Sequence, residues 1–209
     1  MKRILQATLS FLLLAFAGGV MAAPVTYTLD PGHTDVHFSW NHFGFSNPSA
    51  DLSDIKGTLT YDPEHPERSS VSVTMPLSGL ETHVAALDKV LRGKQFFDAH
   101  RYPNITFKST SVKAVGYHLL QVEGRLTAHG LTQPVTLKVR LNRIGKHPFP
   151  VWHGAEAVGF DAWGTLSRTA FGLGAYAPAV SDQIKVHLTT EAIERKAFDK
   201  LMAEGNKHP

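Results

Sequence analysis

The chain has no cysteine among its 209 residues. A disulfide, a thiolate metal site and a thioether-linked haem are therefore excluded, as is the cysteine a lipoprotein needs at its new N-terminus. Stability must come from burial of apolar surface alone, and a chain of this length suffices for one domain. An excess of either charge is also lacking. Lysine and arginine number 21 against 18 acids, a formal net charge of +3. Residues 1–22 hold Lys2 and Arg3 and no acid, so without them the charge is +3 − 2 = +1. A nucleic-acid protein would show a basic patch or stripe, and this chain has too little basic excess for one.

Only one long apolar run exists, and it stands at the start. Lys2 and Arg3 precede a mostly apolar stretch from Ile4 to Val20, and the small residues Ala22 and Ala23 follow. This is the layout of a secretory signal peptide. The run is shorter than the ~20 residues of a comfortable bilayer span, and no basic stop-transfer cluster follows it. Cleavage after Ala22 sets Val20 and Ala22 at the recognised small positions, whereas a cut one residue later would put Pro24 behind the scissile bond. The expected product is residues 23–209, exported to the periplasm and soluble there.

Catalytic signatures are missing as well. There is no GxGxxG fingerprint and no Walker sequence. Gly44-Phe45-Ser46-Asn47-Pro48 imitates a nucleophile elbow until its last position, where glycine is required. Twelve histidines raise the question of metal. His33 and His37 lie four residues apart, about 13 Å on an extended strand at ~3.3 Å per residue, so they cannot share an ion unless the chain turns between them. His147 and His153 flank a proline-containing loop with no supporting motif. The reading is therefore no enzyme, no metal and no organic cofactor.

What is present is alternation. Val36, Phe38 and Trp40 share one parity against Asp35, His37 and Ser39; Val135, Leu137, Val139 and Leu141 oppose Thr136, Lys138, Arg140 and Asn142; Ile184, Val186 and Leu188 oppose Lys185 and His187. Period-two segments of this kind are half-buried strands. Similar runs at 25–30, 55–61, 71–77, 104–113, 120–127 and 156–167 make a set of eight or nine. Turn signals such as Asp62-Pro63, Val115-Gly116 and His129-Gly130 separate them. Helical spacing appears only at about 82–93, where Thr82 is a candidate cap and Gly93 a stop, and again at about 194–204. The economical arrangement is all-β: one antiparallel eight-stranded barrel with an inserted helix and a short C-terminal helix. Closure removes exposed sheet edges. Small residues within strands, namely Gly57, Gly124, Gly159, Ala162 and Gly164, favour a hollow interior over a filled one.

Five stretches together resemble the YceI-like family of periplasmic, lipocalin-like, polyisoprenoid-binding proteins. They are Tyr27-Thr28-Leu29-Asp30-Pro31-Gly32-His33-Thr34, Trp40-Asn41-His42-Phe43-Gly44-Phe45-Ser46, Gln95-Phe96-Phe97-Asp98 with Tyr102 to Thr110, Gly124 to Val135, and Arg168-Thr169-Ala170-Phe171-Gly172. The resemblance runs over nearly all of 27–193. Two departures stand out: Thr169-Ala170 replace a small residue and an acid, and Val90 stands where a histidine often precedes the leucine.

The resemblance implies a long apolar channel holding an isoprenoid lipid, a polyprenyl phosphate or an isoprenoid quinone. On strand parity the lining candidates are Phe38, Trp40, Leu59, Val73 and Phe107, together with Leu120, Leu126, Leu137, Phe160 and Leu166. His42, Arg168 and Asp182 are the head-group candidates. Transient contact with a membrane or a membrane cytochrome, and a homodimer, are the partner expectations. Two other readings stand beside the carrier: an accessory partner of a quinone-linked membrane cytochrome, and a histidine-based metal or stress-binding protein.

Overall fold

A computed structural model describes residues 23–205; the expected signal segment at 1–22 lies outside the described residues. The strands are β1 (Val25–Ser39), β2 (Ser49–Leu52), β3 (Lys56–Tyr61), β4 (Ser70–Pro76) and β5 (Leu80–Glu81). Helix α1 (Ala85–Arg92) precedes β6 (Asn104–Gly116), β7 (Leu119–Ala128), β8 (Leu131–Lys146), β9 (Glu156–Ser167) and β10 (Gln183–Glu194), and α2 (Arg195–Gly205) is the last element of the described residues. Eight strands run in the order β10-β9-β8-β7-β6-β4-β3-β1, and β1 pairs back onto β10 to close an antiparallel barrel. The short β2 and β5 extend the sheet beside the second half of β1.

β1 explains why the alternation counts as eight or nine strands. Its two periodic halves, 25–29 and 34–39, are one strand interrupted by a bulge. Leu29 pairs with Ala192 and Thr34 with Thr190, so four residues on β1 face Glu191 alone. An insertion of this size switches the inward parity from odd to even. Tyr27 and Leu29 point inward before it, and Thr34 and Val36 after it. Below the bulge β1 pairs with β3, and above it with β2.

The inserted helix is shorter than the 82–93 expected from spacing. It opens at Ala85, and Val84 in the cap position makes no side-chain cap bond. Thr82 lies outside because His83 sits in left-handed backbone, φ 61°. Asp88 instead reaches back, accepting the Thr82 backbone N–H at 2.7 Å and its hydroxyl at 2.6 Å. Arg92 donates to the carbonyls of Leu77, Ser78 and Leu80, which ties the far end of α1 to the segment before it.

Candidate functional site

The barrel interior is divided along its length. At the end where β1 starts and β10 finishes, the inward side chains fill the space. Leu59, Leu120 and Phe160 belong to this packed half with Tyr27, Tyr61 and Val158. The rings of Tyr61 and Phe160 meet edge to face, centroids 5.3 Å apart. Thr34, Thr190, Phe160 and Leu141 are neighbours in register, and the Thr34 and Thr190 hydroxyls bond at 2.7 Å. This row is the floor of what lies above.

Above the floor is a cavity of about 320 Å³. Val36, Phe38 and Trp40 line it from β1, Val73 and Met75 from β4, and Ile105 and Phe107 from β6. Leu126, Leu137, Ala162, Leu166 and Val186 continue the wall around β7 to β10. Leu87 and Leu91 of α1, with Phe96 and Phe97 of the following turn, cover it from one side. Phe97 stands edge-on to Phe38 at 6.5 Å.

Of the ten lining candidates picked out by strand parity, the structure places Phe38, Trp40, Val73, Phe107, Leu126, Leu137 and Leu166 on the cavity. It does not place Leu59, Leu120 and Phe160 there. They have the inward parity, but Phe160 is part of the floor and Leu59 and Leu120 belong to the packed half, because parity reports the face of a sheet and not the height in a barrel. The glycines also serve a different end. A Cβ at Gly124 would fall 2.3 Å from the Phe107 ring and 2.7 Å from the Lys108 carbonyl, and one at Gly164 would fall 2.8 Å from Leu137. They are seats for large side chains that themselves face the cavity. Of Gly57, Gly124, Gly159, Ala162 and Gly164, Ala162 is the one that lines it.

The rim carries the polar groups. His42 and Arg168 line the cavity, and Asp182 does not. Arg168 is buried and donates Nε to Ser181 O at 2.8 Å, Nη2 to Val180 O at 2.7 Å and Nη1 to Leu173 O. Burial pushes its pKa down, and the nearby Asp182 opposes that shift. Three of the five guanidinium N–H groups are thus used to gather the 168–182 loop, and two are left for anything at the rim. For Asp182, burial alone would raise the carboxyl. The Thr169 N–H at 2.8 Å, the Ser167 and Thr169 hydroxyls and the charge of Arg168 prevail and hold it below its ordinary value.

The 168–182 loop is the part of the site that strand periodicity misses. Phe171, Leu173, Tyr176 and Val180 all face the cavity. Gln95 donates to the Tyr176 hydroxyl at 3.3 Å, joining the loop to the turn after α1. Phe43 N–H donates to Ala179 O at 3.0 Å, and Ser181 N–H to Asn41 O at 2.9 Å, joining it to the 40–48 segment. The signal available in sequence is the absence of any acid or base from 169 to 181 in a segment that is not a strand.

Away from the cavity, the β1 bulge supplies the turn that extended geometry denies to His33. One ligand atom each of Asp30, His33 and Glu191 lie within 4.8 Å of one another. His33 Nδ1 is 2.9 Å from Asp30 Oδ2, and His147 Nε2 is 2.8 Å from Glu191 Oε1. These are ligand types that a divalent cation accepts, paired here as acids with bases on the flank of the barrel.

A YceI-like domain matches residues 27–192. A UPF0312 protein of Pseudomonas syringae pv. tomato is 34% identical over 196 residues, covering 94% of this chain and all of that protein. Protein YceI of Salmonella arizonae is 33% identical over 195 residues, 93% of this chain and 99% of its own. Among solved structures, Burkholderia cenocepacia BcnA aligns with TM-score 0.69 at 20% identity, over 78% of this chain and 98% of its own. A polyisoprenoid binding domain from Saccharophagus degradans, implicated in plant cell wall breakdown, aligns with TM-score 0.60 at 13% identity, over 81% and 99%. At these identities the two structures establish the shared barrel. No helix of the described residues is long and apolar enough to cross a membrane.

Proposed function

The chain belongs to the family of YceI-like domain proteins, and from that premise we propose that it is a periplasmic carrier of an apolar lipid, a polyisoprenoid held by its tail. The observation that carries this reading is the cavity: walled by apolar side chains of β1, β4 and β6 to β10, floored by a packed half-barrel, with His42 and Arg168 at its rim. The Saccharophagus domain, whose description is polyisoprenoid-binding, supports the ligand class. Binding, not catalysis, is the proposed activity. Export with cleavage after Ala22 is the proposed route to the periplasm.

The energetics suit a tail-held ligand. Burying a methylene contributes about 0.8 kcal/mol, so a five-carbon isoprene unit contributes on the order of 3 kcal/mol. A few units in the cavity offset the ~4–15 kcal/mol lost on association. The floor row limits how much tail the barrel encloses, so a longer chain folds back or extends past the rim. Head-group selectivity then rests on His42 and the two unused N–H groups of Arg168.

Mass spectrometry of an organic extract tests the reading on untagged protein, exported by its native signal and purified without detergent. An isoprenoid at close to one per protein is expected, and its head group separates a polyprenyl phosphate from a quinone. Extracts without lipid, from protein that also fails to take up added polyprenol, would overturn the carrier.

A further inference from the structure

The rim of the cavity carries apolar side chains that are exposed to solvent. Phe45, at the tip of the 40–48 segment, is 92% exposed, and Phe43 beside it 47%. Tyr176 on the facing loop is 59% exposed, and Val84 and Val90 of the α1 region 55% and 48%. Phe43 sits in left-handed backbone, φ 54°, followed by Gly44 at 79°, so the chain reverses and presents the two phenyl rings at a tight turn. Their display is held by main-chain bonds: His42 N–H to Ser46 O at 2.9 Å, and Phe43 N–H to Ala179 O at 3.0 Å. No packing partner inside the barrel accounts for a fully exposed phenylalanine at a rigid turn.

We propose that this collar of Phe43, Phe45, Val84, Val90 and Tyr176 docks on the surface of an anionic lipid bilayer, with the cavity mouth facing the membrane. Two observations select a lipid surface as the occupant. The first is continuity: Val90 and Tyr176 belong at once to the collar and to the cavity wall, so an apolar chain leaving the cavity crosses the collar without meeting water. Exposed apolar side chains at the opposite end, such as Tyr117 and Phe149, have only the packed half-barrel behind them.

The second is charge. Residues 40–48 and 169–181 contain no acid. Lys89 and Lys94 are exposed on the capping segment, where Arg92 and the acids Asp88 and Asp98 also stand, Asp88 accepting from the Thr82 hydroxyl. An apolar tip with lysines on its flank is how peripheral proteins sit at an anionic interface, the rings in the headgroup layer and the ammonium groups against lipid phosphates.

The purpose of such docking rests on the carrier reading, but its test does not. The mature chain is mixed with sedimentable vesicles of phosphatidylethanolamine and phosphatidylglycerol, or of phosphatidylcholine alone, and the bound fraction is measured. Binding to the anionic vesicles is expected, weaker on the neutral ones and reduced by salt. Phe43→Ser with Phe45→Ser should lower the partition coefficient about tenfold or more. Lys89→Glu with Lys94→Glu should abolish the preference for anionic vesicles and keep the weak binding to neutral ones.

Both pairs are surface changes, and circular dichroism with the lipid content of the purified variants reports that fold and cavity are intact. The proposal is overturned if wild-type protein stays in the supernatant, as it would for a collar serving a protein partner, or if the Phe43→Ser, Phe45→Ser variant sediments like wild type. Protein that carries lipid and ignores vesicles removes the docking surface alone. Protein that binds vesicles and never carries lipid removes the carrier alone.

Discussion

Arg168 is a cation whose partners are carbonyls of its own loop, which gives it a structural task beside any ligand. Its planar fork reaches Leu173, Val180 and Ser181 at once, and a lysine has no such fork. Arg168→Lys should therefore lower stability by about 2–4 kcal/mol, since a buried charge loses partners that water cannot replace. Urea unfolding measures the loss, and amide exchange should rise first at 169–182. Asp88 offers a simpler titration. The hydroxyl and then the N–H of Thr82 hold its carboxyl below the ordinary aspartate value. A depressed folded pKa contributes stability above the unfolded pKa and loses it as pH falls through the folded one. Thr82→Val deletes the hydroxyl and keeps the N–H. The Asp88 carboxyl carbon, followed by NMR, should then titrate at higher pH than in wild type but still below an unperturbed aspartate. An unmoved titration would mean that the hydroxyl does not hold it.

Strands and helix divide the work along the barrel axis. Phe160 on β9 packs into the floor, whereas Phe97 after α1 is half-buried with one side on the cavity. Removing a ring from a filled region leaves a new void and costs about 3–5 kcal/mol. Removing one beside an existing space enlarges that space and forfeits fewer contacts. Phe160→Ala is expected to show the full cost in delipidated protein, and Phe97→Ala distinctly less. Equal losses in urea titrations would mean that the cap is as tightly packed as the floor. α1 itself was legible from its 87/90/91 spacing. Its start was not, because Thr82 looks like an N-cap until His83 takes a left-handed conformation that no propensity anticipates.

For the molecule as a whole, the division between filled and hollow halves decides what substitutions do. Ala162 faces the cavity, and Gly124 lies under Phe107. Ala162→Phe should place its ring where the lipid tail would lie. Extractable lipid then falls steeply while the delipidated protein keeps its stability within about 1 kcal/mol, since nothing is overpacked. Gly124→Leu has no such room. It pushes Phe107 off its seat against main-chain atoms and should destabilise by about 3 kcal/mol or more, or prevent folding. Lipid per protein and unfolding midpoints, measured together on both variants, check the assignment. Unchanged lipid in Ala162→Phe would show that the cavity is not the lipid's place.

By itself the sequence determined the class of this protein: no cysteine, balanced charge and period-two segments leave a barrel held by apolar burial. Seven of its ten lining candidates stand on the cavity wall, because alternation along a strand is a local property of the backbone. Tertiary structure alone decided the rest. The bulge at 30–33 swaps parity in the middle of β1, and only the pairing with β10 reveals four residues set against one. The height of Leu59, Leu120 and Phe160 depends on strand register around the closed barrel, which no single strand encodes. The 168–182 wall has no periodicity to read, since its shape comes from Arg168 binding carbonyls that are distant along the chain and adjacent only once it has folded.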